Sequence, residues 1–569
     1  MFGDESFYWL EGQFLSMSYS ELPGWTAWMI RLGTSIFGNH YFAVRIISYL
    51  GFLSIFAGIY LINRLLKSNN NGHNNYLILF SIPLFVLVAV MALPDIWLVV
   101  FVVWIIYFLI QAVKRNRVID WLLLGLIVAM SLNVHVRMWI WLFFAGLSFL
   151  ICFNQKGELI KSALILSLPV AIMGMLPIMV FNYQNEFALF SFQFEQRHPW
   201  QFQWKNITFL LSQIIVISPI IFWLWLRQIL TLKNHFKTNP IIAWILLTAI
   251  LHWIFYAVMS LFVDGLRTTV HWLLVSYVPV LAVCSVVIKN KILPKKAIIT
   301  GGLITLLMLS YFSFYNSQSS NIQARIFDNS LGWQELSVSI KRLQREHNTE
   351  NLITDYFMTA SELAFELDGI NSIQVLTHPK NIKHGRQKQL KIMHILLENP
   401  QAYTKQALLI VEDSGIKLQE KGAYYMNLCQ NFKQVQFLES VIIERSKKLF
   451  HIFKIHNQQE TRKCKIPPLF YVEHKIIKDH IEISGWVIFH DSRLKKLSLM
   501  SADKNIKVEN NKIKNKGIHA MFPEINDLNQ PNNGFHVIVP TKDLKNNYYH
   551  LMAKDNNGFE YFSQNYFLD

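Results

Sequence analysis

The sequence predicts a multi-span α-helical membrane protein that continues into a soluble α/β domain and ends in a β-sandwich. Composition is the first reason, because 52% of the 569 residues are hydrophobic and only 16% are charged, whereas an ordinary soluble domain is about a quarter charged. The shortfall is also uneven, since long apolar runs follow one another up to about Phe314 and then stop. Finally, basic residues cluster between the apolar runs, as they do in membrane proteins.

Ten apolar segments approach the length of a membrane span, which is roughly 17–25 largely apolar residues. In chain order they are Ala43–Leu65, Tyr76–Met91, Ile96–Val113, Trp121–Leu132, Met138–Phe153, Ile160–Phe181, Ile207–Leu226, Ile241–Val263, Val270–Ile288 and Ala297–Phe314. Several are short, and Trp121–Leu132 must be extended, be tilted or form a broken pair with its neighbour. We therefore predict a transmembrane domain at residues 1–316, with about ten spans within 43–314.

Alternate loops between these segments differ in charge. One side of the membrane receives Arg64, Lys67, Lys114, Arg115, Arg117, Lys156, Lys161, Arg227, Lys233, Lys237, Lys289, Lys291, Lys295 and Lys296. The other side receives residues 1–42, Leu93–Asp95, Asn133–Arg137, Asn182–Asn206, Asp264–Thr269 and everything from Tyr315 onward. Cytoplasmic loops are enriched in Lys and Arg, so the first side is predicted to be cytoplasmic. The second side is then the periplasm of a bacterium, and the protein lies in the inner membrane with its C-terminal domains periplasmic.

The same distribution accounts for the formal net charge of +16. A nucleic-acid-binding protein concentrates its positive charge in a patch or stripe, accompanied by aromatic side chains where bases stack. The sequence contains no such stripe, so nucleic acid is excluded as a partner.

The N-terminal segment is predicted to be the first periplasmic loop, at residues 1–42. It lacks the basic and apolar regions of a signal peptide. Residues Glu5–Gly38 instead resemble two short helices at the membrane interface, where Trp9, Trp25 and Trp28 suit the headgroup zone. A periplasmic Asp4 needs a span before it, so we expect the natural start to lie upstream.

The part after the last apolar run is predicted to divide in two. Residues 317–460 mix helical and strand signals, with a helix start at Ser361–Leu367 and buried strands at Ser372–Leu376 and Ala407–Val411, as in a small α/β domain. Residues 465–569 alternate apolar and polar side chains between turns, which is typical of a β-sandwich.

Two of the four cysteines, Cys429 and Cys464, lie in this C-terminal part. An oxidising compartment could join them, although spacing alone does not fix a disulfide.

The loops on the periplasmic side carry groups that a plain membrane anchor does not need. They are Asp4, Glu5, Asp95, His135, Arg137, Arg197, His198, Lys205, Asp264, Arg267 and His271. Guanidinium groups suit an anionic lipid-phosphate leaving group, while a carboxylate can orient or deprotonate the incoming nucleophile. Charges near span ends are costly to insert and usually have a function or a partner. The loops therefore predict a group-transfer site at the outer leaflet.

Each of these residues also has a structural interpretation. Asp4 and Glu5 fit an acidic helix N-terminus, and Asp95 after a proline fits an ordinary N-cap. His135 and Arg137 fit side chains that extend to the headgroups. The stretch Arg197–Trp200 fits a turn with an interfacial tryptophan, and Trp272 fits the interface belt or the core.

Read in order, the motifs resemble those of a known family. They are Asp4-Glu5-Ser6-Phe7-Tyr8-Trp9, Pro23, Trp28-Met29-Ile30-Arg31-Leu32-Gly33, Phe37-Gly38, Val44-Arg45, Pro94-Asp95, Phe192-Gln193-Phe194, Arg197-His198-Pro199-Trp200, Phe202 and His271-Trp272. They resemble the GT-C membrane glycosyltransferases, the relatives of protein mannosyltransferases and of the enzyme that adds aminoarabinose to lipid A. The resemblance covers about residues 3–455, and Arg197–Trp200 is its most specific match.

The resemblance implies an inverting glycosyltransferase that uses a polyprenyl-phosphate sugar, such as an undecaprenyl-phosphate sugar, and a lipid A, glycan or protein acceptor. Asp4 would orient or deprotonate the acceptor, with Glu5 and Asp95 assisting. A divalent metal at Asp4 and Glu5 is a further expectation. Arg197, supported by Arg137 or Arg267, would neutralise the lipid phosphate, and His198, Lys205 and His271 would complete the substrate-binding set.

The chain also departs from the family pattern. It has Ser6-Phe7-Tyr8 where members usually have Ala-Tyr-Tyr, and His135-Val136-Arg137 where many have Ser-Lys-Tyr. These differences affect the identity of donor and acceptor more than the type of reaction.

Two other functions remain as alternatives. A transporter of lipid-linked sugars predicts polar groups along a path through both halves of the bilayer. A membrane-tethered periplasmic binding protein predicts that the soluble domains hold the function.

Overall fold

The computed structural model describes the whole chain except residues 2, 68–72, 199, 264–269, 289–291, 316–329, 370–371, 445, 458–461, 491, 502–503, 509, 512–521, 523–533, 545–547 and 569. The chain forms two compact units. The membrane unit consists of Phe7–Phe312 and Ile382–Ile392, and the C-terminal unit consists of Met1–Ser6, Ser313–Asn381 and Met393–Asp569.

The described secondary structure of the first part of the chain is helical, apart from an isolated β-bridge between Ser18 and Pro23. Its α-helices are α1 (Gly3–Gln13), α2 (Trp25–Phe37), α3 (Tyr41–Leu65), α4 (His73–Phe80), α5 (Pro83–Ala89), α6 (Pro94–Arg115), α7 (Val118–Leu132), α8 (Val136–Cys152), α9 (Gly157–Ser162), α10 (Leu168–Met173), α11 (Leu176–Gln184), α12 (Ala188–Ser191), α13 (Thr208–Val216), α14 (Pro219–Ile229), α15 (Leu232–Thr238), α16 (Pro240–Met259), α17 (Leu274–Ala282), α18 (Cys284–Val287) and α19 (Ile292–Tyr315). Short π-helical turns lie at Ala163–Ser167 and Phe192–Gln196, and 3₁₀ turns at Trp204–Ile207 and Val270–Leu273. The two short helices expected within Glu5–Gly38 are α1 and α2.

Among the described residues, five helices are long and apolar enough to cross a membrane, or six if one bent pair counts as a single span. The five are Tyr41–Leu65, Pro94–Arg115, Gly157–Gln184, Pro240–Met259 and Ile292–Tyr311. Three shorter apolar helices, Val118–Leu132, Val136–Cys152 and Val270–Ala282, accompany them. The chain is therefore a multi-pass membrane protein.

Prolines break two of the segments that were predicted as continuous spans. The segment Tyr76–Met91 is divided into α4 and α5 because Pro83 starts a new helix after Ser81 and Ile82. The segment Ile207–Leu226 bends by 97° between Trp204–Val216 and Pro219–Ile229. At this bend Ser218 has φ of 80° and Pro219 begins α14.

Three of the basic loops, those after α3, α6 and α8, meet at one end of the helix bundle. Lys114, in the last turn of α6, donates to the carbonyl oxygen of Leu65 at the end of α3. Asn116, in the left-handed conformation after α6, lies 3.3 Å from the hydroxyl of Ser162. Because α6 has 22 residues, its first residue lies about 30 Å from this end. At that far end the backbone N–H of Trp25 donates to the carbonyl of Asn133 over 2.9 Å.

Small residues allow close packing between α7 and the helix that follows α8. A Cβ on Gly125 would lie 2.6 Å from the Ser167 carbonyl oxygen, and a Cβ on Gly174 would overlap the backbone of Ala129. Such backbone approach is a common way for helices to associate within a membrane.

The C-terminal unit contains an α/β part with a mixed sheet. Its helices are α20 (Trp333–Glu346), α21 (Phe357–Glu366), α22 (Pro379–Lys383, which crosses into the membrane unit) and α24 (Leu418–Asn431), while α23 (Arg386–Ile392) belongs to the membrane unit. Its strands are β1 (Leu352–Thr354), β2 (Ile373–Leu376), β3 (Leu396–Leu397), β4 (Ala407–Glu412), β5 (Gln434–Ile442), β6 (Leu449–His456) and β7 (Lys463–Lys465), in the order β3-β2-β1-β4-β6-β5-β7. The pairs β1–β2, β2–β3 and β1–β4 are parallel, and β6 is antiparallel to both neighbours. Helix α21 begins before the predicted start at Ser361, since the segment is already helical from Phe357.

Two antiparallel sheets follow. Their strands are β8 (Leu469–Ile477), β9 (His480–Ile488), β10 (Leu494–Ser501), β11 (Lys504–Val508), β12 (Asn510–Asn511), β13 (Gly534–Pro540), β14 (Tyr548–Asp555), β15 (Glu560–Phe562) and β16 (Tyr566–Phe567). One sheet has the order β12-β13-β9-β8, and the other has β11-β10-β14-β15 with β16 beside β14. Buried side chains of both sheets share one core with the mixed sheet, for example Phe437, which stacks on Tyr561 at 4.7 Å between centroids.

A disulfide joins α24 to β7. It links Cys429 and Cys464, whose Cα atoms are 5.6 Å apart and which are separated by 35 residues in sequence. The sequence left open whether these two cysteines are paired, and the structure shows that they are.

Candidate active site

Three helix starts bring charged side chains together in the membrane unit. The Arg137 guanidinium donates to Asp95 Oδ1 over 2.8 Å, and His271 Nε2 lies 3.4 Å from the same oxygen. Asp95 and Arg137 are almost completely buried, with 4% and 7% of their surface exposed. An ionised side chain at such burial requires a partner, and here each charge has one.

Local sequence places these groups at the helix ends. Pro94 occupies the first position of α6, where its missing N–H is not needed, and Asp95 follows in the first turn, where the helix dipole favours a carboxylate. Leu93 is the N-cap residue of α6, so the interpretation of Asp95 as an N-cap is wrong. His135 caps α8, because its Nδ1 accepts the N–H of Arg137 over 3.0 Å. Arg137 is therefore buried and paired rather than extended to the headgroups.

The ring of Trp272 contacts two guanidinium groups. The central carbons of Arg137 and Arg197 are 5.7 and 5.8 Å from its ring centroid. An aromatic face attracts a cation within about 6 Å, so the indole holds both arginines from sequence-distant segments in one cluster. The interpretation of Trp272 as a belt or core residue missed this contact, although its side chain is indeed buried.

Arg197 follows the π-helical turn Phe192–Gln196 and donates from Nη1 to Gln193 Oε1 over 2.6 Å. The next residue, His198, is buried and lies edge-on to Trp272 and Trp200, at 6.2 and 5.6 Å between centroids. Trp200 has φ of 52°, and its indole N–H donates to the Phe194 carbonyl over 3.1 Å. Arg197 and His198 thus both contact the ring of Trp272.

Two polar residues of α16 extend the cluster, and sequence reasoning did not single them out. Tyr256 packs against Trp272 at 5.6 Å and against His252 at 4.8 Å between centroids. Its hydroxyl is buried and has no hydrogen-bond partner among the described residues. His252 Nδ1 and the Ser276 hydroxyl form a hydrogen bond of 2.7 Å. The sequence feature that could have pointed to them is a His and a Tyr four residues apart in an otherwise apolar span.

The predicted carboxylate pair lies in the C-terminal unit. Asp4 and Glu5 occupy the first turn of α1, where Glu5 is fully buried and Asp4 is half-buried. This turn packs on α21: the hydroxyls of Ser6 and Ser361 are 2.8 Å apart, and a Cβ on Gly3 would lie 2.5 Å from the terminal carbon of Met358. Helix α21 therefore fixes the position of both carboxylates.

The structure does not place the remaining predicted residues in this cluster. Lys205 lies in the 3₁₀ turn Trp204–Ile207 and is exposed. Arg267 and Asp264 lie outside the described residues. Within the described part of the chain, no group of three or more His, Cys, Asp or Glu side chains could hold a metal ion. Asp4 and Glu5 belong to no such group among the described residues, and the metal site expected at this pair stays a prediction.

Comparison with known proteins agrees with this architecture. Residues 22–182 match the family model of dolichyl-phosphate-mannose-protein mannosyltransferases. The crystal structure of ArnT from Cupriavidus metallidurans in the apo state is 12% identical, with a TM-score of 0.53 over 76% of this chain and 88% of that chain. ArnT from Cupriavidus metallidurans bound to undecaprenyl phosphate is 13% identical, with a TM-score of 0.52 over 77% of this chain and 88% of that chain. This chain has the GT-C glycosyltransferase fold. The predicted resemblance is confirmed, while no curated protein gives a significant sequence match.

A buried cluster in the GT-C membrane unit binds α23. Arg386 Nε donates to Glu21 Oε1 over 3.2 Å and its guanidinium carbon lies 4.4 Å from the ring centroid of Phe7. Burial raises the pKa of the Glu21 carboxyl, while the Arg386 guanidinium acts in the opposite direction. Burial also raises the pKa of Glu11 well above its usual value, and the charge of Glu21 adds to this effect. The segment Arg386–Ile392 is therefore held in the membrane unit by an ion pair.

The Asp95–Arg137 pair of the GT-C membrane unit provides a stability test. Replacing Asp95 by alanine leaves a buried guanidinium without its partner, which is expected to cost about 3–5 kcal/mol. We expect Asp95→Ala to lower the thermal unfolding temperature of the detergent-solubilised protein clearly. Glu158→Ala, an exposed carboxylate at the basic end of the bundle, is the control and should leave the temperature unchanged. Equal temperatures for both variants would contradict the structural role of the pair.

Proposed function

We propose that the protein transfers a sugar from a polyprenyl phosphate to a lipid A, glycan or protein acceptor at the periplasmic face of the bacterial inner membrane. The proposal rests above all on the contact of both Arg137 and Arg197 with the ring of Trp272. The matched family is described by its dolichyl-phosphate-mannose donor, and ArnT binds undecaprenyl phosphate in one of its structures. Both are lipid phosphates, for which guanidinium groups are suited.

The two arginines differ in what they can offer to a phosphate. Arg137 is neutralised by Asp95 and is almost completely buried. Arg197 is half-buried, so its guanidinium is the more accessible of the two. We therefore assign the lipid phosphate to Arg197, with Arg137 and Trp272 fixing its position. The proposed supporting set is His198, His271, Lys205 and Arg267.

Tyr256 fits the same site. Its buried hydroxyl lacks a hydrogen-bond partner among the described residues. The aromatic ring that carries this hydroxyl packs against Trp272. A buried hydroxyl without a partner costs free energy, and a donor phosphate or sugar hydroxyl would satisfy it. Tyr256 is therefore proposed as a donor contact.

The reaction needs one displacement at the anomeric carbon. The acceptor oxygen forms the new bond as the bond from the anomeric carbon to the phosphate oxygen breaks, and the phosphate leaves with the electron pair, so the configuration inverts. Asp4 takes the proton of an acceptor hydroxyl and Glu5 assists by holding the helix start. Asp95 is proposed to position Arg137, since a carboxylate paired with a guanidinium is a poor base. A phosphate acceptor is already ionised and needs orientation only.

Two observations support the proposed orientation. Three of the basic loops meet at the end of α6 that lies opposite Asp95, as expected for a cytoplasmic face. The pairing of Cys429 with Cys464 suits an oxidising compartment such as the periplasm. The clustering of polar groups at one end also favours an enzyme over a transporter, which needs a polar path through both halves of the bilayer.

The test compares lipid A and periplasmic glycans by mass spectrometry in cells with the gene, without it, and with an Arg197→Ala version. We expect one acceptor to lose the mass of a sugar when the gene is absent, and the variant to leave that acceptor unmodified despite normal insertion. Purified protein should also bind undecaprenyl phosphate. Unchanged lipid A, glycans and periplasmic proteins in the deletion strain, together with no binding of undecaprenyl phosphate, would refute the assignment.

A further inference from the structure

A second apolar site lies within the membrane unit, away from the Asp95 cluster. It is a cavity of about 310 Å³ between α6, α7, α8, α16 and the helix Gly157–Gln184. That volume is at the lower end for ligand pockets in proteins, about 300–1,000 Å³. The walls are almost entirely hydrocarbon, including the side chains of Leu109, Leu142 and Phe149.

The few polar atoms in the walls already have partners. The Ser167 hydroxyl donates to the Trp121 carbonyl over 2.6 Å, and the Trp121 indole N–H donates to Asn116 over 2.9 Å. The Trp244 indole N–H donates to the Ala145 carbonyl over 2.7 Å. A buried water needs two to four polar partners, so the cavity suits a hydrocarbon chain rather than water.

The cavity opens sideways, between α8 and the π-helical turn that leads into α10. Leu150, Leu164 and Leu168 line this side and remain 48%, 52% and 45% exposed. Gly146 lies on the same side, is exposed, and has no atom within 4 Å of the place where a Cβ would stand. In a membrane-spanning segment, exposed leucines of this kind face lipid. The opening therefore faces the acyl chains of the bilayer.

The cavity lies toward the basic end of the bundle. Ile105, which lines it, follows Asp95 by ten residues on α6, about 15 Å along the helix axis. At the other end Trp121 comes one turn after Arg117, and Lys161 directly follows the lining residue Ile160. Arg117 and Lys161 are exposed, and the Ser162–Asn116 contact of 3.3 Å keeps their loops together. A phosphate at this end would meet two cations next to the apolar opening.

We propose that this cavity holds an acyl chain of an anionic phospholipid from the leaflet on the side of the basic loops, with Arg117 and Lys161 at its headgroup. Anionic lipids concentrate in the cytoplasmic leaflet and attract basic residues near the membrane surface. The site is separate from the donor site, because the proposed phosphate ligand Arg197 belongs to the Trp272 cluster at the opposite end of the helices. The bound phospholipid fills a gap that the side chains leave open.

The experiment uses the full chain in nanodiscs that contain phosphatidylglycerol with a photoreactive acyl chain. After illumination, mass spectrometry of peptides should place the label on α7, α8 and the segment Ala163–Met173. Gly146→Leu fills the cavity from its open side, and we expect labelling there to fall about tenfold, the loss when roughly two methylene groups lose apolar contact. Gly302→Leu is the matched control, since a Cβ on Gly302 would meet only the Ser81 hydroxyl at 3.6 Å. Its labelling should remain at the level of the unmodified protein.

A second variant tests the headgroup. The double change Arg117→Gln and Lys161→Gln should remove the preference for the phosphatidylglycerol probe over a phosphatidylcholine probe. Unchanged labelling in Gly146→Leu would overturn the proposal, as would equal labelling of the unmodified protein by both probes. Displacement of the label by undecaprenyl phosphate would assign the cavity to the donor tail instead. If Gly146→Leu does not fold, the unmodified protein still provides a test. Labelled peptides that lie outside the cavity walls would then overturn the proposal.

Discussion

Replacement of Arg197 by alanine is expected to lower sugar transfer by about 10²–10³-fold, the usual loss when one donor to a developing negative charge is removed. The guanidinium lies 5.8 Å from the Trp272 ring centroid and is the arginine of the cluster that is half-exposed. Binding of undecaprenyl phosphate should weaken at the same time, because the charge of the lipid phosphate is present before and after transfer. Both quantities can be measured on purified protein in proteoliposomes, once mass spectrometry has identified the acceptor.

Two controls make this result specific. Arg197→Lys keeps the charge but loses the planar group that stacks on the indole and binds phosphate through two N–H donors, so we expect intermediate activity. Arg342→Ala removes an exposed arginine that pairs with Glu346 and Glu439 in the C-terminal unit and should leave transfer unchanged. Full activity of Arg197→Ala would place the lipid phosphate elsewhere.

Replacement of Asp4 by asparagine is expected to lower the rate of transfer to a hydroxyl acceptor by about 10²–10⁴-fold, the typical contribution of a general base. The change preserves size and hydrogen bonding, so the packing of α1 on α21 through Ser6 and Ser361 should persist. Binding of undecaprenyl phosphate should be unaffected, which separates this variant from Arg197→Ala. The measurement is the single-turnover rate at saturating donor.

The exposed Asp479, in the turn between β8 and β9, supplies the matched Asp→Asn control and should have normal activity. The size of the Asp4→Asn effect also reports on the acceptor. A phosphate acceptor carries no proton that must be removed at neutral pH, so a loss well below 10²-fold with a strong Arg197→Ala defect would indicate a phosphate. With a hydroxyl acceptor, an Asp4→Asn protein as active as Asp479→Asn would exclude Asp4 as the base.

Some elements of the cluster were accessible from the sequence because they depend on position along the chain. Asp95, Arg137, Arg197, His198 and His271 stand at the ends of apolar segments, and charges at such places need partners. The structure does bring these five together around Trp272. The pairing of these residues could not be predicted from the sequence. Arg137 and Asp95 are separated by 42 residues, and no local rule links them.

Other elements depended on contacts that leave little trace in the sequence. Tyr256 and His252 resemble ordinary residues of an apolar span until their rings are placed against Trp272 and each other. The bend at Ser218 is next to a proline whose effect is local, but the sequence does not give its angle of 97°. The ion pair of Arg386 with Glu21 joins residues 365 positions apart. The sequence does not show that both side chains are buried, and burial is what makes each charge require a partner.

The sequence by itself determined that this chain crosses a membrane and that acidic and basic groups stand at the ends of apolar segments. These properties follow from hydropathy and charge, which act residue by residue and survive any arrangement of the helices. Only the tertiary structure decided that Asp95 is paired with Arg137, that one indole joins two arginines, and that an apolar cavity remains near the basic loops. Such features arise from close packing between distant segments, where a difference of a few ångströms separates a partner from a neighbour.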